Sequence, residues 1–309
     1  MPTTIPSNRP DGDPPAHDPT ARPAGACAGL AMPHVEGVEH RYTQVDGLRL
    51  HYAEAGQGDP LVLLHGWPEH WWSWRYLIGP LSERYRVICP DIRGLGWSEG
   101  GRNYSLARLA RDVVELMDTL GIQRAGLIGH DWGNVAGYRA CLNWPDRFTQ
   151  YIALGGVHPW SASGSAPRVF LRPWHVYLLA FAAELGMARL RIPEHCLRSW
   201  RHRGQFTTDE LTTYASAIHR PVSVDATRRF DRNIVLHEIA HFARHYRLMH
   251  LRVSTLHLNG EHDPLTRGLS DSYSDYADDM RLEHVPACGH FIAEERPDWL
   301  LNRLENFLA

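Results

Sequence analysis

Short apolar runs alternate with helical patterns over most of the chain, and this alternation is what most restricts the possible folds. The runs are four or five residues long, which suits strands of a parallel sheet that is covered on both faces. They lie at 61–64, 85–89, 125–128, 151–154, 255–258 and 282–285. Between most of them, apolar residues recur at helical spacing, as in Leu106, Leu109 and Val113. Alternating strands and helices predict an α/β fold with a doubly wound, mostly parallel sheet.

Two segments depart from this alternation. Eight of the 21 prolines lie within the first 33 residues, without any apolar run, so we expect residues 1–34 to form a disordered leader that lacks a secretory signal. Residues 159–246 keep helical periodicity but contain no evident buried strand, which predicts a helical cap inserted between two strands of the sheet. The remaining residues, 35–158 and 247–309, are then expected to form one α/β core, as a chain of 309 residues allows.

Composition removes several classes of function. All 32 basic residues are arginine, so mechanisms that need a lysine amine, including Schiff bases and the phosphate-binding lysine of a P-loop, are excluded. The formal charge of -3 predicts no general attraction to nucleic acid or to membrane surfaces, and no apolar stretch approaches the ~20 residues of a membrane span. Five scattered cysteines without a CxxC pair favour reduced thiols, hence a cytoplasmic protein without a thiolate metal site.

The pentapeptide GHDWG at 129–133 follows one of the buried strands and precedes a helical pattern. Ligands of open α/β sheets bind at the carboxyl ends of the strands, which makes this position a candidate for chemistry. The two glycines permit a sharp strand-to-helix turn that raises the side chain of Asp131 above the sheet as a nucleophile. An aspartate at a helix start also serves as an ordinary cap, so the pentapeptide alone leaves both interpretations open.

A second motif, His65-Gly66-Trp67-Pro68, follows the first buried strand. It places the backbone amide of Trp67 beside the predicted turn. The amides of Trp67 and Trp132 are therefore expected to form an oxyanion hole. The Trp67-Pro68 bond is a candidate for the cis form.

The two remaining strand ends supply an acid and a histidine. Asp263 follows the strand at 255–258, and His290 follows the last strand. With Asp131 they stand in the chain order nucleophile, acid, histidine that hydrolytic triads on such sheets use, so we assign Asp263 as the acid that orients His290.

Two other motifs match known signatures in the wrong context. The GxSxG around Ser98 is separated from its strand by several turn residues and is not followed by a helical pattern, so Ser98 is not expected to be a nucleophile. The HExxH at 237–241 has no downstream third ligand, and we interpret it as a solvated helix face with no metal.

Together the segments HGWPEHWWSWR, PDIRGLGWSE, GHDWG, GEHDP and GHF resemble, in sequence and order, those of α/β-hydrolases of the epoxide hydrolase and haloalkane dehalogenase branch. The resemblance covers about 38–309 outside the cap. It implies the α/β-hydrolase fold and a two-step reaction in which Asp131 attacks an sp3 carbon and His290 activates the water that hydrolyses the resulting ester. It also implies no cofactor and no partner other than a small, uncharged, apolar substrate and water, in a monomer or homodimer.

Within that branch the resemblance favours an epoxide hydrolase, because Trp67 stands where haloalkane dehalogenases carry Asn, and Trp132 stands where haloacid-cleaving relatives carry Arg. Epoxide hydrolases protonate the leaving oxygen with cap tyrosines. Here Phe230-Asp231-Arg232 replaces an expected Tyr-Arg, and the remaining donor candidates are Tyr177, Tyr214 and His175. The alternatives are a dehalogenase and, from another class, a catalytically silent binding protein, which would have no need for a complete triad.

Overall fold

The computed structural model describes residues 30–161, 173–238, 248–268 and 273–308. Within them it confirms the predicted α/β fold with a mostly parallel sheet. The eight strands are β1 (Glu39–Val45), β2 (Leu48–Ala55), β3 (Asp59–Leu64), β4 (Tyr85–Pro90), β5 (Ala125–His130), β6 (Phe148–Leu154), β7 (Thr255–Gly260) and β8 (Met280–Val285).

The strand order in the sheet is β1-β2-β4-β3-β5-β6-β7-β8. The first two strands form a hairpin, with Asp46 and Gly47 at positive φ in the turn and Val45 paired with Leu48. The pairs from β4 to β8 are all parallel. The carboxyl ends of these strands therefore meet along one edge of the sheet, where the predicted site residues follow β3, β5, β7 and β8.

Helices cover both faces of the sheet. Those that precede β6 are α1 (Arg75–Ser82), α2 (Leu106–Thr119) and α3 (Trp132–Asn143). Alternate residues of β3 show why its sequence is apolar throughout. Leu61 and Leu63 belong to one core cluster, whereas Val62 and Leu64 belong to the cluster on the opposite face. A strand between two helical layers must be apolar at every position.

Four helices follow β6 in the described part of the chain: α4 (Trp174–Glu184), α5 (Ile192–Ser199), α6 (Thr208–Ile218) and α7 (Pro221–Asn233). A π-helical turn, Leu185–Arg189, follows α4, and another, Ile234–Glu238, follows α7. Two short helices close the fold, α8 (Ile292–Glu295) and α9 (Pro297–Leu308). No helix among the described residues is long and apolar enough to cross a membrane.

The expected leader lies mostly outside the described residues, which begin at residue 30. Its last residues are packed: Leu30 and Met32 contact the core, and the carbonyl of Leu30 accepts a hydrogen bond from the Trp97 indole at 3.4 Å.

Candidate active site

Asp131 stands at the turn between β5 and α3 with φ 50°, in the left-handed region that non-glycine residues rarely adopt. The two flanking glycines make this turn possible. A Cβ on Gly129 would overlap the carbonyl of Gly133, and a Cβ on Gly133 would overlap the carbonyl of Leu64 in β3. The backbone passes so close to its neighbours that only glycine fits, and the strained turn presents Asp131 at the end of the sheet.

The carboxylate of Asp131 makes no capping hydrogen bond to α3, so the interpretation as an ordinary helix cap is wrong. One carboxylate oxygen, Oδ1, instead accepts a hydrogen bond from the backbone amide of Trp67 at 2.9 Å. The other oxygen, Oδ2, lies 3.6 Å from Nε2 of His290. Burial would raise the pKa of Asp131, but His290 and the Trp67 amide outweigh it and hold the pKa below its usual value. Asp131 is therefore ionised at neutral pH.

His290 lies between two carboxylates and is completely buried. Its Nδ1 lies 3.1 Å from Oδ2 of Asp263, on the side away from Asp131. Asp263 is held by the Leu265 amide, which donates to its Oδ1 at 2.8 Å. Burial would lower the pKa of His290, but the charges and hydrogen bonds of Asp263 and Asp131 raise it to about 10. The structure thus brings together the three residues that the sequence singled out.

The HGWP turn lies against this group. Trp67-Pro68 is the cis bond that the sequence proposed as a candidate. A Cβ on Gly66 would lie 2.5 Å from Cβ of Asp131, so glycine permits the close approach. The imidazole of His65 holds the turn in place through both ring nitrogens. Its Nδ1 lies 2.8 Å from the Gly66 carbonyl, and its Nε2 accepts a hydrogen bond from the Ile92 amide at 3.0 Å.

The amide of Trp132, the other predicted oxyanion donor, opens α3. The first amides of a helix have no partner within the helix, so this group is available to a developing negative charge.

Sequence analysis missed two buried carboxylates that position the reactive groups. Glu69 lies 2.7 Å from Nδ1 of His130, whose Nε2 lies 3.0 Å from the backbone carbonyl of His290. Glu295 accepts hydrogen bonds from the amides of Gly289 and Phe291, on both sides of His290, at 3.0 and 3.1 Å. Nothing in the local pattern sets these residues apart from surface acids, because their partners are distant in sequence or lie in irregular loops.

A cavity of about 180 Å³ opens above Asp131. It is comparable to the ~150 Å³ apolar cavity that holds benzene in another protein, so it suits a small molecule. Most of its wall is apolar, and the largest apolar side chains are Trp67, Trp132, Trp200, Phe230, Ile234 and Leu265. The helices that follow β6 supply part of this wall and pack directly on the turn: the Phe230 ring on α7 lies 3.8 Å from that of Trp132.

Two of the three predicted proton donors line the cavity. His175 is buried, stacks on Trp67 with ring centroids 5.9 Å apart, and its Nδ1 has no hydrogen-bond partner among the described residues. Burial lowers its pKa to about 4, which leaves a neutral imidazole at neutral pH. Tyr177 is half-buried at the cavity wall.

The third candidate, Tyr214, does not line the cavity. It is fully buried away from the cavity wall, and its hydroxyl donates to Glu294 and accepts from Arg75 at 3.2 Å. A hydroxyl held by an ion pair is structural, and its position on the apolar face of α6 explains why helical periodicity could not exclude it.

The cavity contains a further buried carboxyl group that sequence analysis did not assign. Asp231 of α7 is 2% exposed and lines the cavity together with Asp131. Burial raises the pKa of Asp231, the nearby charge of Asp131 raises it further, and the pKa lies well above its usual value.

Ser98, the serine of the GxSxG match, is structural. It is completely buried, donates to the Asp91 carbonyl at 2.7 Å and accepts from the His51 amide at 3.0 Å. The HExxH match at 237–241 lies partly outside the described residues, and among those described no cluster of three or more potential ligands could hold a metal ion.

Comparisons with known proteins agree with this fold. The family model of the alpha/beta hydrolase fold matches residues 59–297. The soluble epoxide hydrolase of Corynebacterium sp. (strain C12) is 28% identical over 286 residues, which cover 88% of this chain and 98% of that protein. Epoxide hydrolase 4 of Homo sapiens is 29% identical over 286 residues, covering 86% of this chain and 77% of that protein. Among solved structures, epoxide hydrolase CorEH without ligand is similar with a TM-score of 0.76 at 26% identity, covering 88% of this chain and 99% of that one.

The chain therefore belongs to the α/β-hydrolase superfamily. Within the superfamily, its similarities lie with the epoxide hydrolase branch, which confirms the resemblance derived from the motifs.

Proposed function

We propose that this protein is an epoxide hydrolase that converts a small apolar epoxide into a vicinal diol through an ester on Asp131. The observation that carries the proposal is His290, whose ring nitrogens lie 3.1 Å from Asp263 and 3.6 Å from Asp131. The named activities of the relatives support the same class of substrate. Residues 159–246 serve in this proposal as the cap over a core formed by 35–158 and 247–309.

In the first step, a carboxylate oxygen of Asp131 attacks one carbon of the epoxide in line with the carbon–oxygen bond that breaks. No base is needed, because the pKa of Asp131 lies below its usual value and the group is already ionised. The hydrogen bond from the Trp67 amide to Oδ1 fixes the carboxylate, so Oδ2 is the oxygen that is free to attack.

In the second step, His290 activates a water molecule. The pKa of about 10 means that His290 is protonated in the resting enzyme and cannot act as a base there. Ester formation removes the negative charge of Asp131, so the pKa of His290 falls, the imidazolium releases its proton to solvent, and the neutral form becomes available. His290 then takes a proton from water, the hydroxide attacks the ester carbonyl, and the amides of Trp67 and Trp132 stabilise the oxyanion.

The cavity supports an uncharged apolar substrate. Its wall is dominated by aromatic and aliphatic side chains, and its described part offers no arginine to bind a carboxylate. A halide-binding role for the Trp67 indole is disfavoured, because that N–H donates to Oγ1 of Thr227 at 3.1 Å. Dehalogenation remains the alternative reaction, and the test must distinguish it from epoxide hydrolysis.

The test is intact-protein mass spectrometry of the His290→Gln variant after incubation with panels of epoxides and haloalkanes. Loss of the base should trap the ester, so the protein should gain the mass of one whole epoxide. A gain of an alkyl group without its halogen would instead make the enzyme a dehalogenase. No adduct with any member of either panel would contradict a covalent mechanism and favour the silent binding protein.

Three controls make this result specific. The double variant Asp131→Asn/His290→Gln should gain no mass, because it lacks the nucleophile. His284→Gln, a matched change at an exposed position of β8, should turn over without accumulating an adduct. In ¹⁸O-labelled water, the first turnover of the wild-type protein should place the label on Asp131 and leave the diol unlabelled, whereas direct attack by water would label the diol at once.

A further inference from the structure

We propose that Asp231 is a further catalytic residue: in its protonated form it donates the proton that the leaving epoxide oxygen receives when Asp131 attacks. This inference rests on the proposed function and deepens it, because it names the acid of the first step.

The position of α7 directs Asp231 at the nucleophile. Thr227, Phe230 and Asp231 stand at helical spacings of three and four residues and so share one face of the helix. Thr227 accepts the hydrogen bond from the Trp67 indole at 3.1 Å, and the Phe230 ring lies 3.8 Å from the Trp132 ring. Trp67 and Trp132 belong to the two turns that meet at Asp131, so the same face carries Asp231 into the cavity above the nucleophile.

Among the described residues, no cation pairs with Asp231. The neighbouring arginines of α7 are directed elsewhere: Arg228 and Arg229 pair with Asp225 at 2.5 and 2.6 Å, and Arg232 lies over the exposed ring of Phe181. A buried carboxyl group without a cationic partner keeps its proton, since the charged form would be strongly disfavoured.

The titratable groups that face Asp231 from the packed elements reinforce this state. Asp131, on the turn before α3, carries a negative charge that raises the pKa of Asp231 beyond the effect of burial. His175 on α4 has a pKa lowered to about 4 by burial and is neutral. Cys196 on α5 has its pKa raised by burial and by the charge of Asp131, so it too is neutral. The cavity therefore pairs one ionised carboxylate with one carboxylic acid.

The proton and charge balance of the first step then closes within the cavity. A lone pair of Asp131 forms the new carbon–oxygen bond, the epoxide carbon–oxygen bond breaks, and its electron pair stays on the epoxide oxygen. That oxygen takes the proton of Asp231 and becomes a hydroxyl group, leaving Asp231 as a carboxylate. The cavity carries one negative charge before the step, on Asp131, and one after it, on Asp231. When water cleaves the ester and the Asp131 carboxylate reforms, the proton released returns to Asp231.

The test compares Asp231→Asn/His290→Gln with its parent His290→Gln in single-turnover alkylation by an epoxide that the parent accepts. Asn keeps the shape of the side chain but cannot give up a proton, so alkylation should slow by about 100-fold or more. In the parent, the rate should fall at alkaline pH as Asp231 ionises, and this decline should vanish in the double variant. Because His290 is absent from both proteins, its titration cannot produce the decline.

Asp225→Asn/His290→Gln is the matched control, with the same change on the outer face of α7, and should behave like the parent.

An unchanged alkylation rate in Asp231→Asn/His290→Gln would overturn the assignment of Asp231 while leaving the ester mechanism intact, since the adduct would still form. If the parent forms no adduct with any epoxide, the proposed function fails and this proposal fails with it. If the Asp231→Asn/His290→Gln variant does not fold, the test uses two other measurements. These are the alkylation rate of an Asp231→Glu/His290→Gln variant and the decline of the alkylation rate of the parent at alkaline pH. A flat alkaline rate in the parent would refute the proposal without any substitution at Asp231.

Discussion

Replacing Asp131 with Asn should lower the pKa of His290 by an amount that the site geometry allows us to work out. In the wild-type protein the pKa of His290 is raised to about 10, although its burial alone would lower it. Asn has the size of Asp but carries no charge. An ester on Asp131 is uncharged as well. The variant therefore mimics the proposed ester intermediate electrostatically and reports the state in which the proposed mechanism requires His290 to act as a base.

The size of the decrease in the pKa of His290 follows from the separation of 3.6 Å between Nε2 of His290 and Oδ2 of Asp131. At an effective dielectric constant of about 20, two unit charges at this distance attract by roughly 4 to 5 kcal/mol, which corresponds to about 3 pH units. Losing this attraction should bring the pKa of His290 from about 10 to roughly 7, still supported by Asp263. About half of the imidazole would then be neutral at pH 7 and available as a base.

The assay is an NMR titration of the imidazole nitrogens, with the His290 signal assigned by its absence in His290→Gln.

The pH dependence of stability gives an independent measure of the pKa of His290. A histidine whose pKa is raised on folding stabilises the protein fully below its unfolded value of about 6.5. That stabilisation is lost as pH rises toward the folded value, about 10 in the wild type. Between pH 7 and 10 the melting temperature should therefore fall more steeply in the wild type than in Asp131→Asn. Equal titration midpoints in the two proteins would refute this electrostatic account.

Five further variants can be checked by thermal or denaturant unfolding and by turnover of an epoxide that the wild-type protein accepts. Gly133→Ala should destabilise the fold by at least about 2 kcal/mol because its Cβ overlaps a strand carbonyl, whereas Gly79→Ala, inside α1 with open space around it, should stabilise it by about 0.5 to 1 kcal/mol. Tyr214→Phe should lose about 1 to 3 kcal/mol of stability and keep kcat within a few-fold; loss of turnover would restore Tyr214 as the proton donor. Ser98→Ala should likewise lose about 1 to 3 kcal/mol and keep its turnover, and an inactive, well-folded variant would reopen the serine hydrolase reading. Asp231→Asn should raise the melting temperature at pH 8, because an acid whose pKa is raised on folding costs stability once pH exceeds its unfolded value of about 3.9; a lower melting temperature would mean that Asp231 is ionised and paired.

The sheet and the grouping of Asp131, Asp263 and His290 were predictable because the signals that encode them are local. A strand covered on both faces must be apolar at every position, as 61–64 is, and a turn that passes within contact of its neighbours must have glycine, as at 129 and 133. Parallel strands then bring their carboxyl ends to one edge. Residues that follow different strands, such as Asp131, Asp263 and His290, are thereby placed side by side without any long-range information.

The proposed proton donor could not be predicted in this way, because its role depends on which face of an inserted helix meets the cavity. Tyr214 and Asp231 illustrate the difficulty: the tyrosine has the expected chemistry but is held by Glu294, whereas the aspartate looks like a surface residue and is buried. The chemical state of Asp231 depends on a charge 100 residues away in sequence, that of Asp131, and on the direction of three arginines on its own helix. A carboxyl group becomes an acid or an anion according to what surrounds it, so only the packed structure distinguishes a nucleophile from a proton donor when both are aspartate.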